Sequence, residues 1–317
     1  MRKQQLSGLI LAAVLLLVLL TSFRQQRLAQ KSFVRAVLVQ KTSAGYAVGL
    51  MFQDVAASAD ASKAGEQLAL CTGQGESLAA AFINAETHLP EQSDYKLCEY
   101  TVVCPNTEFT ALREYQQFLM QNSTQGRLSS CVYACDQPLD ILSDAAEKEE
   151  NFVPEWLELL GRNRQRCQRL YDAMGKGVLA LPLIRVEDDM PVSQCERSIL
   201  TDSEGLRLIL DESSAQIVTL LQQKSDQARF LLRETPLVLR GIAADYSLVG
   251  QGRVQIRIQA KVDTDTPAAA AQLQVIGNEL LDVVGSPLIR LLQLDAVARM
   301  AGSTVPVTQA ELCLVLQ

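Results

Sequence analysis

Histidine is almost missing from this chain. His88, in AETHLPEQ, is its one example, so any Ser-His-Asp or Cys-His arrangement depends on that residue, and no nucleophile-elbow pattern surrounds it. No CxxC occurs either, and with one histidine that argues against a zinc site. The glycine-rich stretch CTGQGESLAAAF lacks the Gly-Lys-Ser/Thr ending of a phosphate loop. Gly75-Glu76-Ser77 puts an acid where the lysine belongs, and a carboxylate repels phosphate. There is no block of basic residues and the net charge is −7, which removes the electrostatic footprint of a nucleic-acid partner. Acids such as Glu187-Asp188-Asp189 are plentiful, but adjacent acids in a loop are usually solvated or hold a cation weakly. No complete catalytic constellation is visible. The expectation is a protein that is not an enzyme, with no cofactor and no bound metal.

What is present begins with an apolar run. Leu6 to Phe23, LSGLILAAVLLLVLLTSF, carries no charge between Met1-Arg2-Lys3 and Arg24. A span of roughly 20 apolar residues crosses a hydrocarbon core. An N-terminal membrane anchor over residues 1–31 is therefore expected, with Leu6, Leu9, Leu15, Leu20 and Phe23 as anchoring residues in the lipid bilayer. The alternative is a cleaved secretory signal, although Thr21-Ser22-Phe23-Arg24 offers no convincing small-x-small cleavage site. The first cysteine is Cys71, so no lipid-bearing cysteine is expected just past the run. Charge leaves orientation open. Arg2 and Lys3 precede the run while Arg24, Arg27, Lys31 and Arg35 follow it, which favours a cytoplasmic bulk, yet long domains translocate regardless of charge.

The eight cysteines, Cys71, Cys98, Cys104, Cys131, Cys135, Cys167, Cys195 and Cys313, invite a disulfide reading by their even number. Spacing argues against a simple one. On extended strands Cys98 and Cys104 stand about 20 Å apart and Cys131 and Cys135 about 13 Å, against a limit of about 7 Å between bridged Cα atoms. A bridge between the two strands stays open beside the favoured reading, buried free thiols packing as small hydrophobes.

The rest of the chain is long enough for two or three small domains. Residues 32–150 make the first, α/β in character. FVRAVLVQ and YAVGLMFQ form a hairpin, LAL before Cys71 an edge segment, and Gly73 and Gly75 a tight turn into a helix with apolar Leu78, Ala81, Phe82 and Ala85. A strand over Tyr95–Cys104, a helix capped by Asn106-Thr107 and running to about Gln121, and a strand over Leu128–Cys135 make a βαβ unit with parallel strands. The charged stretch Glu147 to Asn151 marks a boundary. Residues 151–224 make a second, small α+β domain. Its first helix runs from Glu155 to about Met174, with a basic side of Arg162, Arg164, Arg166 and Arg169 that contacts lipid head groups or, more commonly, only solvent. VLALPLIRVEDD is a strand, Asp202-Ser203-Glu204-Gly205 the turn of a hairpin, and Glu212 to about Gln223 a helix. Residues 225–317 make a third α+β domain of antiparallel strands and a long helix, Pro267 to about Met300, weakened at Gly285-Ser286-Pro287. In its cleanest strand Val254, Ile256, Ile258, Ala260 and Val262 share one face. The fold class is α+β: an N-terminal transmembrane helix followed by three small mixed α/β domains.

In order, these motifs resemble the spore-germination receptor C-subunit family, Ger(x)C, of endospore-forming bacteria. The residues that carry the likeness are RAVLVQ and YAVGLMFQ, then GQGESLAAAFINAE, similar to that family's Gly-x-Gly-x-Ser approach to its first helix, then CEYTVVCPNTEFTALREYQQFL. LALPLIRVEDD, ERSILTDSEGLRLILDESSAQIVTLLQ and LDAVARMAG follow. Each motif is degenerate, and their order is what matches. The resemblance implies a three-domain, non-enzymatic subunit of a spore germinant receptor, held outside the spore inner membrane or cell membrane and assembled with integral-membrane receptor subunits. Members are typically lipoproteins, so here a single-pass helix would take the place of the lipid. The third domain also looks short for the family. Two other readings stand beside this one: an extracytoplasmic small-molecule binding protein, and a membrane-anchored hydrolase resting on His88.

Overall fold

The computed structural model of the chain describes residues 31–316 apart from 55–66, 123–125, 163, 165–166, 223–226, 233–234 and 263–266. The expected anchor, with Leu6, Leu9, Leu15, Leu20 and Phe23, lies outside the described residues. Among the described residues no helix is long and apolar enough to cross a membrane.

β1 (Lys31–Thr42) and β2 (Gly45–Asp54) form the expected hairpin, and β3 (Gln67–Gly75) pairs antiparallel with β2. Gly73 and Gly75 lie inside β3, not in a turn. The reason is the helix that follows, α1 (Leu78–Thr87), which lies directly on the strand. A Cβ on Gly73 would sit 2.1 Å from Ala85 N and 2.6 Å from Ala81 O, and one on Gly75 2.6 Å from Ala81 N. Ser77 caps α1 by accepting from Ala80 N, and Leu78, Ala81, Phe82 and Ala85 are all buried.

The strand expected over Tyr95–Cys104 is shorter, β5 (Tyr100–Val103), and a separate strand, β4 (Gln92–Asp94), precedes it; both are parallel to β1. Asp94 delays the start of β5: its Oδ1 accepts from Lys96 N at 3.0 Å, turning the backbone just after β4. α2 (Phe109–Gln121) starts later than expected. Thr107 does not cap it but ties the loop to β1, accepting from Lys41 N at 3.0 Å and donating to Val39 O. β6 (Cys131–Cys135) runs parallel to β5, so the βαβ unit is present.

After α3 (Leu139–Lys148) and α4 (Phe152–Arg162) the expected long helix stops at Arg162. The chain returns as β7 (Gln168–Arg169), which pairs with Cys131–Val132, before α5 (Leu170–Lys176). Sheet hydrogen bonds outcompete helical ones here. Leu170 N donates to Ser130 O, and the Gln168 side chain accepts from Ala180 N at 2.9 Å. β8 (Val178–Glu187), β9 (Met190–Asp202) and β10 (Arg207–Leu210) follow, then α6 (Glu212–Leu221), capped by Asp211.

These strands form one sheet in the order β10-β9-β8-β6-β5-β1-β2-β3, with β4 on β1 and β7 on β6. β8, β6, β5 and β1 are parallel at its centre, and antiparallel hairpins extend both flanks. The sheet runs through the composition shift at residue 150 without a break. One face packs α1, α2 and Leu170 against Val37, Val39, Val103 and Val132. The other packs α3 and α4, with Trp156 and Phe152, against Tyr100, Val102, Tyr133 and Leu38.

β11 (Gln227–Leu232), β12 (Thr235–Gly250), β13 (Arg253–Val262) and β14 (Gln309–Leu316) form a second sheet in that order, β14 parallel to β13. The expected long helix is three: α7 (Pro267–Val284), α8 (Ser286–Leu291) and α9 (Leu294–Met300). It breaks at Gly285, φ 56°, as its sequence suggested, and again at Gln293, φ 56°. α6 packs on this sheet in the same core as Leu273, Leu288 and Leu294. The fold is mixed α+β.

Candidate functional site

A cavity of about 530 Å³ opens between the start of α2 and the β9–β10 turn. Its floor is apolar: Val103 and Ala134 at the carboxyl ends of β5 and β6, Leu181 of β8, and Phe109 and Leu112 of α2. The rim is polar, with Asn106, Thr107, Glu108, Thr110, Ser203, Glu204 and Arg207. Crevices beyond the carboxyl ends of parallel strands are where α/β sheets commonly receive ligands.

Asp202 builds one wall. It is buried, and its Oδ1 accepts from Glu204 N and Leu206 N, both at 2.9 Å, which closes the turn. Its Oδ2 accepts from Arg290 Nη2 at 2.6 Å, and Arg290 Nη1 reaches Glu204 Oε1 at 2.8 Å. One guanidinium from α8 thus holds the turn from 88 residues away. Arg207 makes no ion pair among the described residues and stands exposed at the mouth. Opposite it, the first amides of α2 point outward with no side-chain cap at Glu108, so the positive end of the helix dipole faces the same space. Cys104 also lines the cavity, but burial raises its thiol well above the ordinary range, so it is no nucleophile there. The arrangement can hold a small polar molecule through charge and hydrogen bonds.

No family model and no curated protein sequence matches this chain. Among solved structures, one described as the crystal structure of the GerBC protein is similar, at 11% identity and a TM-score of 0.40, over 88% of this chain and 96% of that one. A likeness at that level says nothing about what either chain binds.

Cys104, Asn106, Thr107 and the Asp202–Gly205 turn line the cavity, whereas His88, the acids Glu187 to Asp189 and the arginines from Arg162 to Arg169 do not. His88 ends α1, its backbone N–H donating to Ala85 O at 3.1 Å, and its side chain is exposed. Asp188 and Asp189 are the two-residue turn between β8 and β9, both with left-handed backbone (φ 51° and 58°), a geometry that short acids tolerate. The arginines expected on one helix side are dispersed: Arg162 pairs with Glu158, Arg164 with Glu99 at 3.0 Å, and Arg169 donates to Ser129 O. Arg166 lies outside the described residues. None of the seven described cysteines is in a disulfide; Cys313 is half-buried and the other six are buried. The cavity itself was not foreseen. Asp202-Ser203-Glu204-Gly205 forms the expected turn, but nothing local marks it as a cavity wall.

Proposed function

We propose that this chain is a non-enzymatic, membrane-anchored subunit of a spore germinant receptor. It works by assembly with integral-membrane partners, with its bulk outside the spore inner membrane or cell membrane. The observation that supports this reading is where the ordered motifs fall. Gly73 and Gly75 seat α1 on β3, Thr107 ties its loop to β1, and the acids of LALPLIRVEDD make a hairpin turn. Asp202 joins the sheet to α8 through Arg290. These motif residues act as joints of the fold, which is what supports reading their order as that of a single folded subunit. Affinity purification of tagged full-length protein from sporulating cells is expected to recover polytopic membrane proteins, and proteolysis of intact cells or spores should digest the chain beyond Arg24. Expression confined to growth, no membrane partner, and normal germination after deletion would together refute it.

The cavity favours a second reading, an extracytoplasmic small-molecule binder. Saturable binding of a small polar molecule by the purified chain, lost in Arg207→Ala, would establish that reading. Titration of a broad nutrient panel with no saturable signal would remove it.

A further inference from the structure

Four cysteines share the core on one face of the large sheet: Cys104, Cys131, Cys135 and Cys167. They fall into two pairs. Val103 stands opposite Ala134 in the β5–β6 register, so the next residues, Cys104 and Cys135, are neighbours. On β6 and β7 Cys131 stands opposite Arg169 and Val132 opposite Gln168, so Cys167 lies diagonally across from Cys131 on the same face. The Cys167 thiol lies 3.0 Å from the Arg164 carbonyl oxygen and beside the Cys131 sulfur, to which its one proton is donated when Cys131 is a thiolate. Cα atoms of such diagonal neighbours are about 7–8 Å apart, just beyond the usual span of a disulfide. Cys167 precedes β7 and is outside the ladder, so a small shift of that residue closes the gap.

The two pairs differ in charge environment. Burial pushes Cys135 up to about 12 and Cys104 well above the ordinary range, so that pair stays protonated. Cys131 goes the other way, to about 7. The bond with Cys167 is the largest cause; burial opposes it, Arg169 and Arg164 add to it, and Glu99 opposes it. The remaining titratable neighbours are Tyr133 and Tyr100, whose phenols burial keeps neutral.

We propose that Cys131 and Cys167 are a reversible dithiol–disulfide pair that exchanges with low-molecular-weight disulfides. The Cys131 thiolate attacks one sulfur of R–S–S–R, forming Cys131–S–S–R and releasing RS⁻. Cys167 then gives up its proton, leaves its position 3.0 Å from the Arg164 carbonyl oxygen, and attacks the Cys131 sulfur, releasing a second RS⁻. The protein loses two thiol protons and gains one S–S bond, while the reagent's S–S bond is reduced to two thiols. Closure would fasten the segment after α4 to β6. The inference does not rest on the receptor reading.

The test uses reduced full-length protein in detergent, incubated with oxidised glutathione, alkylated, and mapped by peptide mass spectrometry. The expected product is a Cys131–Cys167 cross-link, reversed by dithiothreitol, absent in Cys131→Ser and retained in Cys104→Ser. Alkylation of the unmodified chain provides a check that needs no variant: Cys131 should react about tenfold or more faster than Cys135 at neutral pH, with its rate rising through about pH 7. A cross-link elsewhere, a stable glutathione adduct on Cys131 that never closes, or a Cys131 rate no faster than that of Cys135 would overturn the proposal.

Discussion

β5 and β6 are buried along their whole length, as YTVV and CVYAC, whereas β13 alternates buried Val254, Ile256, Ile258 and Ala260 with exposed Arg253, Arg257, Gln259 and Lys261. The large sheet has helices on both faces of its parallel centre, and the small sheet packs only one face of this strand. In the first, every substitution meets packed neighbours. In the second, only alternate ones do. The contrast predicts a gradient of mutational cost, and its steep end lies on the doubly covered sheet. Trp156 is fully buried on α4, with its ring 5.3 Å from that of Phe152, in the layer over Tyr100 and Tyr133. Trp156→Ala should cost about 4 kcal/mol by urea unfolding, since an indole cavity in a packed layer cannot collapse. A loss under about 1 kcal/mol would mean that the second face is not firmly covered.

The next step down comes from the opposite layer and from adding an atom. Gly73→Ala places its new methyl against the backbone of Ala85 and Ala81, which can yield only by lifting α1 as a unit. A cost of about 3 kcal/mol is expected, with loss of protection in α1 amides by hydrogen exchange. A neutral Gly73→Ala would show that α1 does not lie against β3.

The same contrast explains what could be read in advance. β13 was legible because one-sided burial writes a period of two into the sequence. The doubly buried strands are legible as strands, but the starts expected from sequence, Tyr95 and Leu128, lie before the observed ones, because a continuous apolar run marks no edge. Leu170 and Tyr171 continue the helical spacing of Trp156 and Leu160, so nothing local announced that Gln168 and Arg169 would leave the helix for the sheet. Burial of six cysteines follows from two-sided covering, in which a thiol serves as a small hydrophobe. The cavity was illegible because its walls come from residues near 105, 134, 181 and 204, and only the sheet order brings them together.

Where the two regions meet, the cost should be intermediate. Asp202 belongs to the large sheet and Arg290 to the helices over the small one, and their 2.6 Å contact is shielded from water on the aspartate side. Asp202→Asn keeps the shape but removes the charge, and is expected to lose about 2 kcal/mol. Arg290→Ala in the same background should then cost much less than alone, which a double-mutant cycle measures. Additive losses would mean that the two regions are not joined through this pair.

A smaller effect is expected at the end of β4. Burial tends to raise the Asp94 carboxyl, but the hydrogen bond from Lys31 at 2.8 Å, aided by Lys96 N, outweighs it and leaves the group below its ordinary value. A depressed carboxylate contributes stability that is present above the unfolded value and lost as pH falls through the folded one. Asp136 acts in the opposite sense, since burial raises it despite Arg185 at 2.7 Å, so the wild-type profile alone does not isolate Asp94. The difference between wild type and Asp94→Asn does. It should be no more than about 1 kcal/mol at neutral pH and shrink toward zero as the solution is acidified below the ordinary carboxylate range. A difference that grows on acidification would reverse the assignment.

The shallow end of the gradient is Arg257, next to fully buried Ile256 on β13 and opposite Asp245 on β12. Its side chain projects from the wet face, so Arg257→Ala should change stability by less than about 0.5 kcal/mol in the purified chain. In the doubly covered sheet the corresponding neighbours, Thr101 and Val102, are both fully buried, and no such neutral position exists between them. Arg257 is therefore the sharpest test of the difference between the sheets. Should Arg257→Ala cost more than about 1 kcal/mol, the exposed face of β13 is covered in solution, and concentration dependence of that cost would show whether a second copy of the chain covers it.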